Sequence, residues 1–105
     1  MYPNTVDEPF TMIAKSLLYA LSFDFNTNPK VVAVYLNMKL ASRGGRHFTF
    51  PHSAYKDWCS KDGFIKSVRA LEESGYIRVV EHNKSPRKPN KYEFVSDWTK
   101  RLRFP

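Results

Sequence analysis

The sequence predicts an α+β domain: a three-helix core preceded by an N-terminal helix, with one short strand and a C-terminal β-hairpin. Three observations carry this. Residues 29 to 43 and 61 to 74 repeat apolar side chains every three and four positions, and both runs stop at glycine. Between them, HFTFP alternates briefly, as a strand does. LEESGYIRVVEH then passes from helical to strand periodicity without a linker, and YEFVSDW returns after a basic loop that holds two prolines.

The elements follow in order. Residues 1 to 9, bracketed by Pro3 and Pro9, read as a polar, acidic arm. From Phe10 to Phe25 the residues Phe10, Ile13, Leu17, Leu18, Leu21 and Phe25 have helical spacing; FTMI also fits a short strand leading into that helix. FNTNP supplies a turn, with Asn28 as N-cap and Pro29 at the first helical position. In the helix 29 to 43, Val31, Val34, Tyr35, Met38 and Ala41 share a stripe, and Gly44-Gly45 ends it. HSAYKDW, residues 52 to 58, predicts a short helix with Ala54, Tyr55 and Trp58 inward, followed by a tight turn at Cys59-Ser60. Ser60 caps the helix 61 to 74. At about 100° per residue, Phe64, Ile65, Val68, Leu71 and part of Glu72 fall within about 60° of one line, and Gly75 closes the helix. Tyr76 to His82 and Tyr92 to Trp98 are the hairpin strands, and 99 to 105 form a basic tail.

Composition restricts the class. One 105-residue chain with 42% hydrophobic and 15% aromatic residues supports a single core and argues against disorder. A net charge of +7 attracts polyanions, with nucleic acid foremost and an acidic protein or anionic membrane surface as rivals. The charge is uneven: residues 1 to 28 carry a net of −2, residues 29 to 83 a net of +4, and residues 84 to 105 a net of +5. A lone cysteine, Cys59, excludes an internal disulfide and fits a reducing compartment. With no basic-then-apolar leader and no long apolar run, the expected location is cytoplasmic, in a bacterial cytosol or a phage-infected cell.

Two helices joined by a short turn make a helix-turn-helix, and a hairpin directly after the second makes it winged. Over residues 10 to 98 the chain resembles winged-helix DNA-binding domains, in particular those at the N-termini of phage and plasmid replication initiators. The resemblance is carried by FTMIAKSLL, PKVVAVYLNMKLASR, HFTFPHSAY, FIKSVRALEESGYIRVVEH and KPNKYEFVSDW. It implies a helix in the major groove, a wing against backbone or minor groove, and no catalytic site. Its departure is size, since such initiators usually carry further domains and 105 residues leave no room for one.

On the helix 61 to 74 the expected DNA contacts are Lys61, Gly63, Lys66, Ser67 and Arg69. Lys66 is expected to point most directly outward, between Ser67 and Arg69, on a face shared with Asp62, Ala70 and Glu73. Lys or Arg can bond guanine O6 and N7, Ser can donate to phosphate, and small residues near a helix N-terminus permit close approach. In the wing, Lys84, Arg87, Lys88 and Lys91 concentrate charge, and Pro86 and Pro89 stiffen the loop. Four phosphates neutralised there give a slope of log K against log salt of about −3.6. Arg43, Arg46, His52, Ser53 and Lys56 are secondary backbone candidates; Lys100, Arg101 and Arg103 in the tail can add nonspecific affinity. The competing reading of every one of these is a solvated charged surface.

Chemistry is not suggested. His47, His52, Cys59 and His82 do not match a zinc spacing, and RGGRH lacks the Lys-Ser/Thr of a phosphate loop, so no metal, cofactor or enzymatic activity is expected. Phe64, Tyr76, Tyr92, Phe94 and Trp98 fall at core spacings, and Phe48, Phe50, Tyr55 and Trp58 read as packing around the short strand. Stacking on single strands or RNA is therefore secondary. The expected function is duplex-DNA recognition in replication or transcription control, with a homodimer through residues 1 to 28. The alternative is a protein-interaction module, such as a phage-encoded factor or inhibitor that binds an acidic surface or ribonucleoprotein of the host.

Overall fold

In the computed structural model, described over residues 13–82 and 90–101, three helices pack beside a three-stranded antiparallel sheet, an α+β fold. Helix α1 (Lys15–Asp24) buries Leu17, Ala20 and Leu21 at spacings of three and four. Leu18, expected on the same stripe, lies exposed, because one helix position off the stripe turns a side chain about 100° away. Helix α2 (Pro29–Ser42) has Pro29 in its first turn, and Asn28 stands at the cap without a side-chain hydrogen bond. Its Val31, Val34, Tyr35 and Met38 are buried, whereas Ala41 is exposed where the helix outruns the core. The stop uses two left-handed residues in succession, Arg43 (φ 51°) and Gly44 (φ 83°).

Strand β1 (His47–Thr49) leads to a single 3₁₀ turn at His52–Ala54, continued by hydrogen-bonded turns such as Cys59 N–H to the Tyr55 carbonyl at 2.8 Å. The expected helix 52 to 58 does not form as a regular helix: so short a segment carries the nucleation cost with little propagation. Trp58 is also not inward; its ring is exposed and its indole N–H bonds the Ala54 carbonyl at 3.1 Å.

Helix α3 (Lys61–Glu73) begins as expected, with Ser60 Oγ accepting from Gly63 N–H at 3.0 Å. It ends in a Schellman motif: Tyr76 N–H bonds the Leu71 carbonyl and Gly75 N–H bonds that of Glu72, with Gly75 at φ 81°. The chain passes directly into β2 (Ile77–Glu81), which pairs with β3 (Lys91–Phe94), so the expected hairpin is present; its loop at 83–89 lies outside the described residues. The sheet order is β1-β3-β2, with a register irregularity between Val79 and Glu81. The returning strand is shorter than expected, because Asp97–Arg101 turns into a 3₁₀ helix that stacks Trp98 on Tyr76.

Tyr35, Tyr76, Leu21, Met38, Leu71, Ile77, Val31 and Val34 are fully buried, one core shared by all three helices and the sheet. The Tyr76 hydroxyl donates to Asp24 Oδ2 at 2.6 Å, tying the end of α1 to the α3–β2 junction. Among the described residues no helix is long and apolar enough to cross a membrane.

Candidate nucleic-acid interface

Which way α3 faces decides which of its side chains can reach a partner. Its buried positions are Phe64, Ser67 and Leu71. Ile65, expected inward, is 45% exposed, and Ser67, expected to contact a phosphate, is 2% exposed with its hydroxyl donating to the Gly63 carbonyl at 2.8 Å. A Cβ on Gly63 would meet Ser60 Oγ at 3.0 Å and Lys30 Cδ at 3.5 Å, so its smallness serves the N-cap and the approach of α2. The small residues Gly63, Ser67 and Ala70 thus accommodate a neighbouring helix, a non-local partner that sequence spacing does not disclose.

With that face inward, the opposite line at about 100° per residue passes through Asp62 and Arg69. Lys66 is exposed but lies to one side, so Arg69 replaces it as the most outward cation. Lys61 is exposed in the first turn, where Asp62 also complements the helix dipole. Three cations on α3 face three acids, yet Glu72 is occupied: its Oε2 accepts from Val79 N–H at 3.1 Å, joining α3 to β2.

Between α3 and the hairpin runs a groove of about 660 Å³. Its floor is aromatic, with Tyr55 and Phe64 rings nearly parallel and 4.0 Å apart. Its edges carry Lys61, Arg69, His52 and His82, and Ile65 stands in it from α3. Burial raises the pKa of Tyr55, with Cys59 adding to the shift. Burial also raises that of Tyr92, where a hydrogen bond from Asn90 opposes the effect and Tyr55 and Glu72 add to it. Both phenols stay protonated at neutral pH.

The sheet's outer face holds a charge cluster that the sequence reading did not single out. Glu93, on the central strand, is buried among three bases: His47 Nε2 at 2.7 Å, Arg78 Nη2 at 2.7 Å and Arg46 Nε at 3.6 Å. The row follows from register, since His47 and Arg78 are the two cross-strand neighbours of Glu93. Alternation alone could have placed Arg78 and Glu93 outward, but only the pairing brings them together.

The remaining candidates are spread around this frame. Arg43, His52, Ser53 and Lys56 are exposed, His52 edge-on to Tyr55 at 5.1 Å. Arg46 is not a free cation but a partner of Glu93, and Lys91 reaches Glu81 across the hairpin at 3.4 Å. Lys100 pairs with Asp97 at 3.6 Å. Lys84, Arg87 and Lys88, with Pro86, Pro89 and Arg103, lie outside the described residues, as does the arm 1 to 9. The structure therefore brings Lys61, Arg69 and His52 to one groove, with Lys66 on the adjoining flank of α3, and turns Gly63 and Ser67 away. No family model, no curated protein and no solved structure matches the chain.

Proposed function

We propose that the chain is a duplex-DNA-binding protein of the winged helix-turn-helix type, acting in replication or transcription control as its resemblance to phage and plasmid initiators implies. The observation that carries this is the junction at Gly75. It joins α3 to β2 without a linker, within a sheet of order β1-β3-β2, and so sets α3 and the hairpin on either side of one cation-edged groove. In this reading Arg69 approaches base edges, with Lys66 beside it, while Lys61 and the first turn of α3 meet phosphate. Lys91 and the cations at 84, 87 and 88 track the backbone.

The exposed Ile65 and the aromatic floor favour a second reading, an acidic, apolar polypeptide held in the same groove. Fluorescence anisotropy against random duplex, the matching single strand and an acidic amphipathic peptide separates the two. Duplex binding at low salt, tighter than single strand or peptide, supports the first. Peptide binding with no duplex binding by folded protein overturns it.

A further inference from the structure

On the groove flank of α3 one aliphatic side chain stands between two cations. Lys61, Ile65 and Arg69 follow one another at intervals of four residues, so they form a single row on the helix surface, and all three line the groove. What α3 buries fixes the direction of that row. With Phe64, Ser67 and Leu71 inward, steps of about 100° put Arg69 nearly opposite the core and Ile65 about 40° from it, toward the hairpin. Ile65 is 45% exposed there. Of the two acids that end α3, Glu72 is held by the Val79 N–H at 3.1 Å, and Glu73 is not among the groove-lining residues.

We propose, on the duplex-DNA reading above, that Ile65 is a specificity-determining residue. It reads the 5-methyl group of a thymine while Arg69 bonds a nearby guanine. Phosphate tracking needs cations alone and gives an aliphatic side chain in the middle of the row no partner. A wholly apolar ligand would instead desolvate Lys61 and Arg69 without pairing them. The major groove offers both chemistries side by side. Guanine O6 and N7 accept from arginine, phosphates line the rim, and of the four bases thymine alone carries a methyl group.

The dimensions agree. Four helical residues rise about 6 Å, and base pairs stack about 3.4 Å apart. A helix lying along the groove therefore sets Ile65 and Arg69 on bases about two steps apart, with Lys61 a further turn toward the rim.

The test uses duplexes selected by the full chain from a random pool, with binding read by fluorescence anisotropy at one salt concentration. Each thymine is replaced in turn by deoxyuridine, which removes the methyl group and keeps the base pair and its O4 acceptor. At one thymine per bound chain the replacement should weaken wild-type binding about fourfold, the worth of one buried methyl group. Ile65→Ala should bind the thymine and deoxyuridine duplexes alike, and Ile65→Val should keep part of the difference. Both variants should leave circular dichroism unchanged, because the side chain is half-exposed. About two steps away, 7-deazaguanine in place of guanine should weaken the wild type and not Arg69→Ala. Selected duplexes that share no thymine overturn the assignment and leave the DNA reading standing. So does duplex binding that is indifferent to every deoxyuridine, or equally sensitive in wild type and Ile65→Ala. Binding of an acidic amphipathic peptide with no duplex binding by folded protein overturns both.

Discussion

Replacing Gly75 with alanine should damage the molecule at the joint between α3 and the hairpin, and the structure separates the two reasons. Gly75 sits at φ 81°, and a Cβ there would lie 2.8 Å from Asp97 Cβ and 3.2 Å from Trp98 N. Left-handed backbone costs an alanine about 1 kcal/mol, and forcing a methyl against fixed neighbours adds about 1–3 kcal/mol. Gly44 is the internal control, at φ 83° with nothing within 4 Å of the added Cβ. Gly44→Ala should therefore cost about 1 kcal/mol and Gly75→Ala about 2–4 kcal/mol. For a chain of this size that is a fall in Tm of about 5 °C against about 10–20 °C. Thermal melts followed by circular dichroism read both, with urea unfolding as a check. Equal losses at the two glycines would refute the packing of Asp97 and Trp98 over the joint.

Other outcomes follow from the same geometry. Arg69→Ala should weaken binding to a selected duplex about tenfold or more and relax its sequence preference, with Lys66→Ala milder; competition binding on a base-substituted series would show the reverse order if Lys66 were the outward residue. Glu93→Gln removes the charge that gathers Arg46, His47 and Arg78, and should lower stability by about 1–3 kcal/mol in urea unfolding; no loss would mean the cluster is held by packing alone. Burial raises the phenol pKa values of Tyr35, Tyr55 and Tyr92, so an unfolded chain releases those protons first. Their stabilising contribution is full below the ordinary phenol value of about 10 and is lost as pH rises above it, and Tm should fall there. A Tm flat to about pH 12 would contradict the burial of those rings.

Local chemistry made much of the fold readable. Pro29 opens α2, Ser60 caps α3 through Gly63 N–H, and Gly75 ends α3 in the left-handed conformation that glycine permits. The hairpin was readable because YIRVVEH and YEFVSDW flank a loop that cannot continue either strand. What escaped depends on non-local partners or on apolar residues left in water. Ser67 faces inward because α2 packs on the small side of α3, and nothing within α3 announces α2. Leu18, Ile65 and Trp58 are apolar yet exposed, as a good share of apolar surface in folded proteins is. The His47–Glu93–Arg78 row joins residues that are far apart in sequence and adjacent only through strand register. The candidate site was legible as a charge distribution; its orientation on α3 was not, since turning the inward line by about 60° moves the outward cation from Lys66 to Arg69.

The central claim is that α3 and the hairpin hold duplex DNA, with the hairpin cations on phosphates. Fluorescence anisotropy of a random duplex, titrated from about 50 mM to 200 mM salt, tests it directly. Wild-type protein should bind at low salt with a log–log slope of about −3.6 or steeper, and replacing Lys84, Arg87, Lys88 and Lys91 together with alanine should flatten that slope by about the same amount. Folded protein that fails to bind at low salt, or a slope the fourfold variant leaves unchanged, would contradict it.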